Sequence, residues 1–326
     1  MKLTRETLVV IITFALLAIV PVIASLTEVP FYLDLGRRMM ILAIGALSLN
    51  LIMGYGGMIS FGHAVFVGIG AYVVGICAEH EVVSGFIQWP LALLACSIFA
   101  VVFGAISLRT RGVYFIMITL ALAQMMYFLG VSLDRYGGDD GLPLAETSDF
   151  SGLIDLSEKN NLYYLIFVLL LLCLWICKRL INSRFGMVLQ GARSNEARMQ
   201  AIGFPVFRYQ LTAFVIAGVM AGLAGILLAN HTEFVNPDMM HWTRSGDLII
   251  MVLLGGMGSL AGPIVGALVF ILLEEALSGV TEYWQLIFGP FLILVVLFAR
   301  GGLLGFLETR QSSDKPSDKP AEGSDD

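Results

Sequence analysis

The chain has 326 residues, of which 58% are hydrophobic and 13% charged, and its formal net charge is −6. A soluble domain carries about twice that charged fraction, and no soluble core could bury so much apolar surface. The bilayer is therefore the solvent for most of the chain, which excludes a soluble globular class, and no nucleic-acid partner is expected.

The first apolar run, Leu8–Leu26, follows Lys2 and Arg5 and lacks a clean small-x-small cleavage site, so it reads as a retained first span. Further apolar runs occupy 39–53, 60–78, 89–108, 113–132, 162–177, 210–229, 247–257, 262–277 and 284–299. They predict an all-α, polytopic membrane helical bundle with broken helices and about 8–10 passes. Several runs fall short of the roughly 20 residues a straight span needs. Cys77, Cys96, Cys173 and Cys177 all lie in apolar runs. Cys173 and Cys177 share a helix face, but no further Cys or His lies near them in sequence. All four read as small buried hydrophobes, and no metal or cofactor is expected.

Basic residues orient the bundle. Segment 178–208 carries six Lys or Arg against one acid, and RTRG (109–112) adds two more, which predicts that both are cytoplasmic. The loop 133–161 has seven acids against two bases, and EHE (79–81) is acidic, so both are expected outside. With Lys2 and Arg5 inside, every run from 8 to 229 alternates; Arg37 and Arg38 are the one misfit and fall just outside on this count. Arg300 and Arg310 require the C-terminus inside as well. That holds if 247–257 and 262–277 are separate passes or one is a membrane-buried half helix. Residues 1–307 then form the membrane domain. The remainder, 308–326, contains QSSDKPSDKPAEGSDD and is expected to be a disordered acidic cytoplasmic tail.

Two glycine stretches interrupt apolar runs in matching places. GGMIS (56–60) and GGMGS (255–259) differ at one position. Each follows a short apolar run and precedes a small-residue helix. Irregular backbone at membrane depth survives only inside a bundle or along a wet cavity, because unpaired N–H and C=O groups each cost several kcal/mol in lipid. One such stretch is no more than a packing seam, with Gly68, Gly70, Gly75, Gly262 and Gly266 letting helices approach closely. Two in corresponding places of a chain point to a transport path. The candidate path residues are Asn50, Gly56, Gly57, Ser60, Gly62, His63, Gly255, Gly256, Gly258 and Ser259. His63 suits either a functional role or a neutral one bonded to broken backbone. Asn50 and Gln124 are expected to bond across helices.

RFGMVLQGARSNEARMQAIG (184–203) places Val188, Leu189, Ala192, Met199 and Ile202 near one helical face, with Arg193, Asn195, Glu196 and Arg198 elsewhere. This predicts one short amphipathic helix between two spans, suited to the lipid surface or to a partner's groove.

LSLNLIMGYGGMISFGHAVFVGIGAY (47–72), the 184–203 segment, DLIIMVLLGGMGSLAGPIVGA (247–267) and ARGGL (299–303) occur in that order. With them the chain resembles the membrane-spanning permease subunit of branched-chain amino acid ABC importers, the LivM type. The resemblance implies a second homologous permease subunit, two cytoplasmic ATPase subunits, a periplasmic substrate-binding protein and a place in the bacterial inner membrane with both termini cytoplasmic. It also makes 184–203 the helix that couples to the ATPase. Gly186, Leu189, Ala192, Arg193, Asn195, Glu196, Ala197, Ala201 and Gly203 match that motif, whereas Met187 stands where the family often has a basic residue.

The chain has no G-x-x-x-x-G-K-[ST], and none of its five lysines follows a glycine, so it is not expected to be an enzyme with its own ATPase site. The substrate class implied is Leu, Ile and Val, with urea, amides or other amino acids as the alternative. An ion-coupled carrier needs paired intramembrane acids, and Glu274 and Glu275 sit at a span's end. An intramembrane hydrolase needs a site that HEVVS (80–84) does not complete.

Overall fold

The computed structural model describes residues 5–27, 29–144, 146–150, 152, 155–156, 158–281, 283–298 and 302–303. The expected 308–326 tail, Lys2, Arg300 and Arg310 lie outside these, as do the first three residues of ARGGL. The described residues form an all-α membrane bundle.

Its helices are α1 (Arg5–Thr27), α2 (Phe31–Asn50), α3 (Ala64–Glu79), α4 (Gly85–Ser107), α5 (Val113–Val131) and α6 (Lys159–Ile181). Then follow α7 (Arg184–Ser194), α8 (Glu196–Ala201), α9 (Val206–Thr232), α10 (Trp242–Gly255), α11 (Gly262–Ser278) and α12 (Trp284–Phe298). Helix α2 runs on through a π turn, Leu51–Tyr55. Five of the described helices are long and apolar enough to cross a bilayer: α2 with its π turn, α4, α5, α6 and α9.

Burial sorts these helices into centre and rim. In their most apolar windows α2 is 89% buried and α9 61%, against 33% for α4, 22% for α5 and 28% for α6. The rim helices turn Leu94, Ile98, Met117, Met125, Val168 and Leu172 outward, as a lipid-facing surface requires. At the basic end of α6, Arg179 lies 5.8 Å over the Trp175 ring. That pairing suits the boundary between apolar and wet surroundings.

Small residues decide who packs on whom. A Cβ on Gly70 of α3 would meet the Gly222 carbonyl of α9, and one on Gly225 would meet the Val67 carbonyl. Helix α3 therefore lies backbone to backbone on α9, with α2 and α4 also packed on α9. Gly266 of α11 closes in the same way on the Met251 carbonyl of α10, and Gly255 on Gly262. The pairing 266–251 with 262–255 makes α10 and α11 an antiparallel hairpin. The four cysteines are free and buried, as their apolar settings predict.

At the end opposite α7, two loops are stitched together. β1 (Leu142–Pro143) pairs antiparallel with β2 (Phe234–Val235). Behind them the Ser148 N–H donates to Asn230 Oδ1 at 2.8 Å, and the Ser148 hydroxyl donates to Gln88 Oε1 at 2.5 Å. Asp139, Asp140 and Glu146 remain exposed on this cap.

Helix α2 starts at Phe31, eight residues before the apolar run at 39, so Arg37 and Arg38 lie within its first half. Both are neutralised: Arg37 is buried and donates to Asp34, and Arg38 reaches across to Glu274 of α11 at 2.9 Å. Paired charge is what allows a helix to carry arginine at this depth.

The α3–α9 seam yields a stability prediction. Gly225→Val must push two backbones apart, and overpacking of this kind costs about 1–3 kcal/mol or more. Gly246→Ala in α10 meets nothing within 4 Å. Thermal unfolding of the purified protein should show a midpoint lowered by several degrees for the first and an unchanged or slightly raised midpoint for the second.

Candidate functional site

The two glycine breaks are built alike. The second glycine of each, Gly57 and Gly256, has positive φ, 71° and 115°, where a side chain would be strained. The closing serine of each accepts from the backbone just beyond it, ahead of α3 in the first break and at the first residue of α11 in the second. Ser60 Oγ accepts from Gly62 N at 3.3 Å, and Ser259 Oγ accepts from Gly262 N at 3.1 Å. At the one position where the motifs differ, Gly258 has φ 82°, while Ile59 has no such backbone. Helix α10 spans 14 residues, about 21 Å, which is shorter than the roughly 30 Å hydrocarbon layer. The second break is therefore held within the membrane's depth, and its polar backbone needs partners.

Asn50 supplies them. Its Oδ1 accepts from Gly258 N at 3.1 Å, and its Nδ2 donates to the Ser259 carbonyl at 2.9 Å. A side-chain amide at the end of α2 thus mimics a strand partner for the second break. The first break is served from the other direction. Arg193, in the last turn of α7, donates through Nη1 to the Gly54 carbonyl inside the π turn, and its stem covers Gly57. The Arg193–Gly54 bond, with Gly57 packed under the Arg193 stem, and the Asn50 bonds to Gly258 and Ser259 are joined through the α2 backbone into one clasp. Gly302, from the ARGGL motif, closes the far side, where a Cβ would meet Gly256.

The segment 184–203 is two helices and not one. Asn195 is extended at φ −158°, ending α7, and its Oδ1 caps α8 by accepting from Arg198 N at 3.0 Å. The cap signal, Asn followed by Glu, is legible in the sequence and outweighs the continuous apolar pattern. Gly186, Val188, Leu189 and Ala192 are buried under α7, but Met199 is only half-buried and Ile202 and Gly203 are exposed. Glu196 accepts from Arg111 at 2.7 Å and so ties α8 to the RTRG turn. Ala197 is exposed.

His63 stands apart from the clasp. It is fully buried, with Nε2 2.8 Å from Ser48 Oγ. Ser48 in turn donates to the Gly45 carbonyl at 2.7 Å, so the Ser48 oxygen is left to accept and Nε2 carries the proton. The neighbouring Ala64 N–H donates to Ser245 Oγ at 2.9 Å. His63, Ser48 and Ser245 thus cross-link α2, α3 and α10 in a dry layer.

Two cavities flank these layers. The larger, about 680 Å³, lies among α2, α3, α9, α10 and α11 on the β1–β2 side. Its inner end reaches Gly45, Ala64 and Met251 and stops at the His63 layer. The smaller, about 320 Å³, lies at the basic end and is lined by Gly56, Gly57, Arg111, Arg193, Asn195 and Glu196. Of the sequence-predicted path residues, Gly56 and Gly57 line the smaller cavity, His63 lies beside the inner end of the larger one, and Arg193 alone of the predicted coupling residues bonds to this region. Sequence reasoning singled out Arg38 and Glu274 separately but missed that they join Asp238, Arg244 and Asp247 as the charged lining of the larger cavity. The misfit of Arg38 in the charge count and the acid of Glu274 at a span's end were the signals available.

The family described as the permease component of the branched-chain amino acid transport system matches residues 31–297. The chain is 29% identical over 294 residues to the high-affinity branched-chain amino acid transport system permease protein LivM of Escherichia coli (strain K12), covering 83% of this chain and 69% of that protein. It is 24% identical over 316 residues to a probable LivM permease of Methanocaldococcus jannaschii, with 80% and 89% covered. It is 27% identical over 293 residues to the LivH permease of Escherichia coli (strain K12), with 83% and 92% covered. No solved structure matches the chain. With the match running from the start of α2 into α12, the chain belongs to the family of branched-chain amino acid transport system permease components.

Proposed function

We propose that this chain is the transmembrane subunit of an ATP-driven importer of branched-chain amino acids in a bacterial inner membrane, with α7, α8 and both termini on the cytoplasmic side. It pairs with a second homologous permease, docks two ATPase subunits and receives substrate from a periplasmic binding protein at the β1–β2 cap. The chain has no ATPase site of its own. The observation that carries this reading is the clasp: α7 is hydrogen-bonded through Arg193 to the first helix break, and Asn50, one turn before that bond on α2, is hydrogen-bonded to the second.

Magnitudes rank its links. The Arg193–Gly54 bond joins an exposed guanidinium to the carbonyl of a buried glycine, and a hydrogen bond to a charged group is worth about 1.5–3 kcal/mol. The Arg111–Glu196 pair is solvated, its side chains 70% and 20% exposed, and is worth about 0–1 kcal/mol. Arg193 therefore transmits force, and Arg111–Glu196 sets the angle of α8. When the ATPases close, α7 moves with them, Arg193 pulls on the first break, and Asn50 passes the movement to the second. Exposed Met187, Ile202 and Phe204 around α7 and α8 offer the apolar contact that an ATPase groove needs.

A second reading, an ion-coupled carrier, draws on the Arg38–Glu274 pair beside the larger cavity. Uptake that persists without ATPase subunits and collapses with a protonophore would favour it.

The complete transporter in proteoliposomes tests the coupling role. Arg193→Glu should lower leucine uptake and ATP hydrolysis at least tenfold, whereas Asn50→Leu should lower uptake by as much while hydrolysis continues. Glu196→Arg should weaken both more mildly, with partial rescue by Arg111→Glu. Uptake unchanged in Arg193→Glu and Asn50→Leu would contradict the coupling role.

A further inference from the structure

The larger cavity has an order that neither the family nor the clasp requires. Three of its helices each place a charged residue near the β1–β2 end and an apolar residue one turn deeper. On α2, Arg38 is followed by Leu42; on α10, Asp247 by Met251; on α11, running the other way, Glu274 by Phe270. Residues four apart on a helix share a face, so each charge and its apolar partner line the same wall. The result is a charged rim over an apolar floor, with one helical turn, about 5.4 Å, between them.

The rim charges are paired with one another. Arg38 Nη2 meets both Glu274 oxygens at 2.9 and 3.0 Å. Arg244 meets Asp238 at 3.0 Å and approaches Asp247 at 3.6 Å. A lone anion or cation entering this rim would take one partner from a pair and leave the other charge unmatched, which costs most at Glu274, 20% exposed, and less at Arg244 and Asp238, 53% and 52% exposed. A zwitterion has no such penalty: its carboxylate replaces an acid on a guanidinium while its ammonium takes the acid released.

We infer that this cavity is a substrate site within the membrane subunit itself, selective for a small zwitterion with an apolar side chain. The α-carboxylate lies between Arg38 and Arg244, the α-ammonium between Asp247 and Glu274, and the side chain points to Leu42, Met251 and Phe270. The inference rests on the importer reading, adding selection after release from the binding protein.

The test uses the assembled transporter with Leu42→Cys in a background free of the four native cysteines, and an aqueous thiol reagent. L-Leucine should slow labelling at least fivefold. 4-Methylpentanoate, which lacks the ammonium, and 3-methylbutylamine, which lacks the carboxylate, should not. Asp247→Asn should abolish the protection and raise the KM for leucine uptake at least tenfold. Arg38→Gln alone strands Glu274, so the double variant Arg38→Gln/Glu274→Gln, which keeps the pair neutral, should do the same. Equal protection by all three probes, or leucine uptake unchanged in Asp247→Asn and in the double variant, overturns the site and leaves the importer reading standing. Leucine-specific protection in a complex that does not import leucine supports the site and overturns the importer reading.

Discussion

Backbone that leaves the helix inside a membrane must find a partner for every polar group it exposes. In this chain that constraint falls on two places, Gly54–Ser60 and Gly255–Ser259, and the partners come from elsewhere in the fold. Asn50 serves the second break from the end of α2. Arg193 serves the first from the helix that follows α6. Solving a local hydrogen-bond problem with distant side chains is what ties α7 to the first break and α2 to the second.

The packing seams explain why the larger cavity lies where it does. Gly70 and Gly225 draw α3 onto α9, and Gly255, Gly262 and Gly266 draw α10 onto α11. Helix α2 is left at the centre, and the larger cavity lies between it and its neighbours. At the inner end the Ser48–His63–Ser245 layer draws α2, α3 and α10 together again. The fold thus sets the larger cavity on one side of the His63 layer and the smaller cavity at the basic end.

Much of this was legible in sequence, and the reasons for the limits are specific. Composition set the membrane class, and the GGM pair marked both breaks without any structural knowledge. The periodic apolar face marked α7, but Asn195 ended it early because a cap hydrogen bond and an extended backbone outweigh a weak continuing pattern. The clasp was not legible, since Asn50 and Gly258 are more than 200 residues apart and Arg193 touches a carbonyl, a group that carries no sequence signature. The rim of the larger cavity was hidden for the same reason: residues 38, 247 and 274 meet only once α2, α10 and α11 have packed. Arg37 and Arg38 looked misplaced because the count treated charge as a boundary, whereas Asp34 and Glu274 neutralise it in place.

The central claim is that the two breaks move together when the ATPases act. Ile59 and Met257 are exposed, one in each break, and neither side chain hydrogen-bonds within the clasp, so both suit spin labelling. Their separation in the complete transporter, measured by pulsed electron resonance with and without trapped nucleotide, should change by about 5 Å, the scale of a one-turn helix shift. The change should vanish in Asn50→Leu. An unchanged separation across nucleotide states, in a transporter that still imports substrate, would contradict the account.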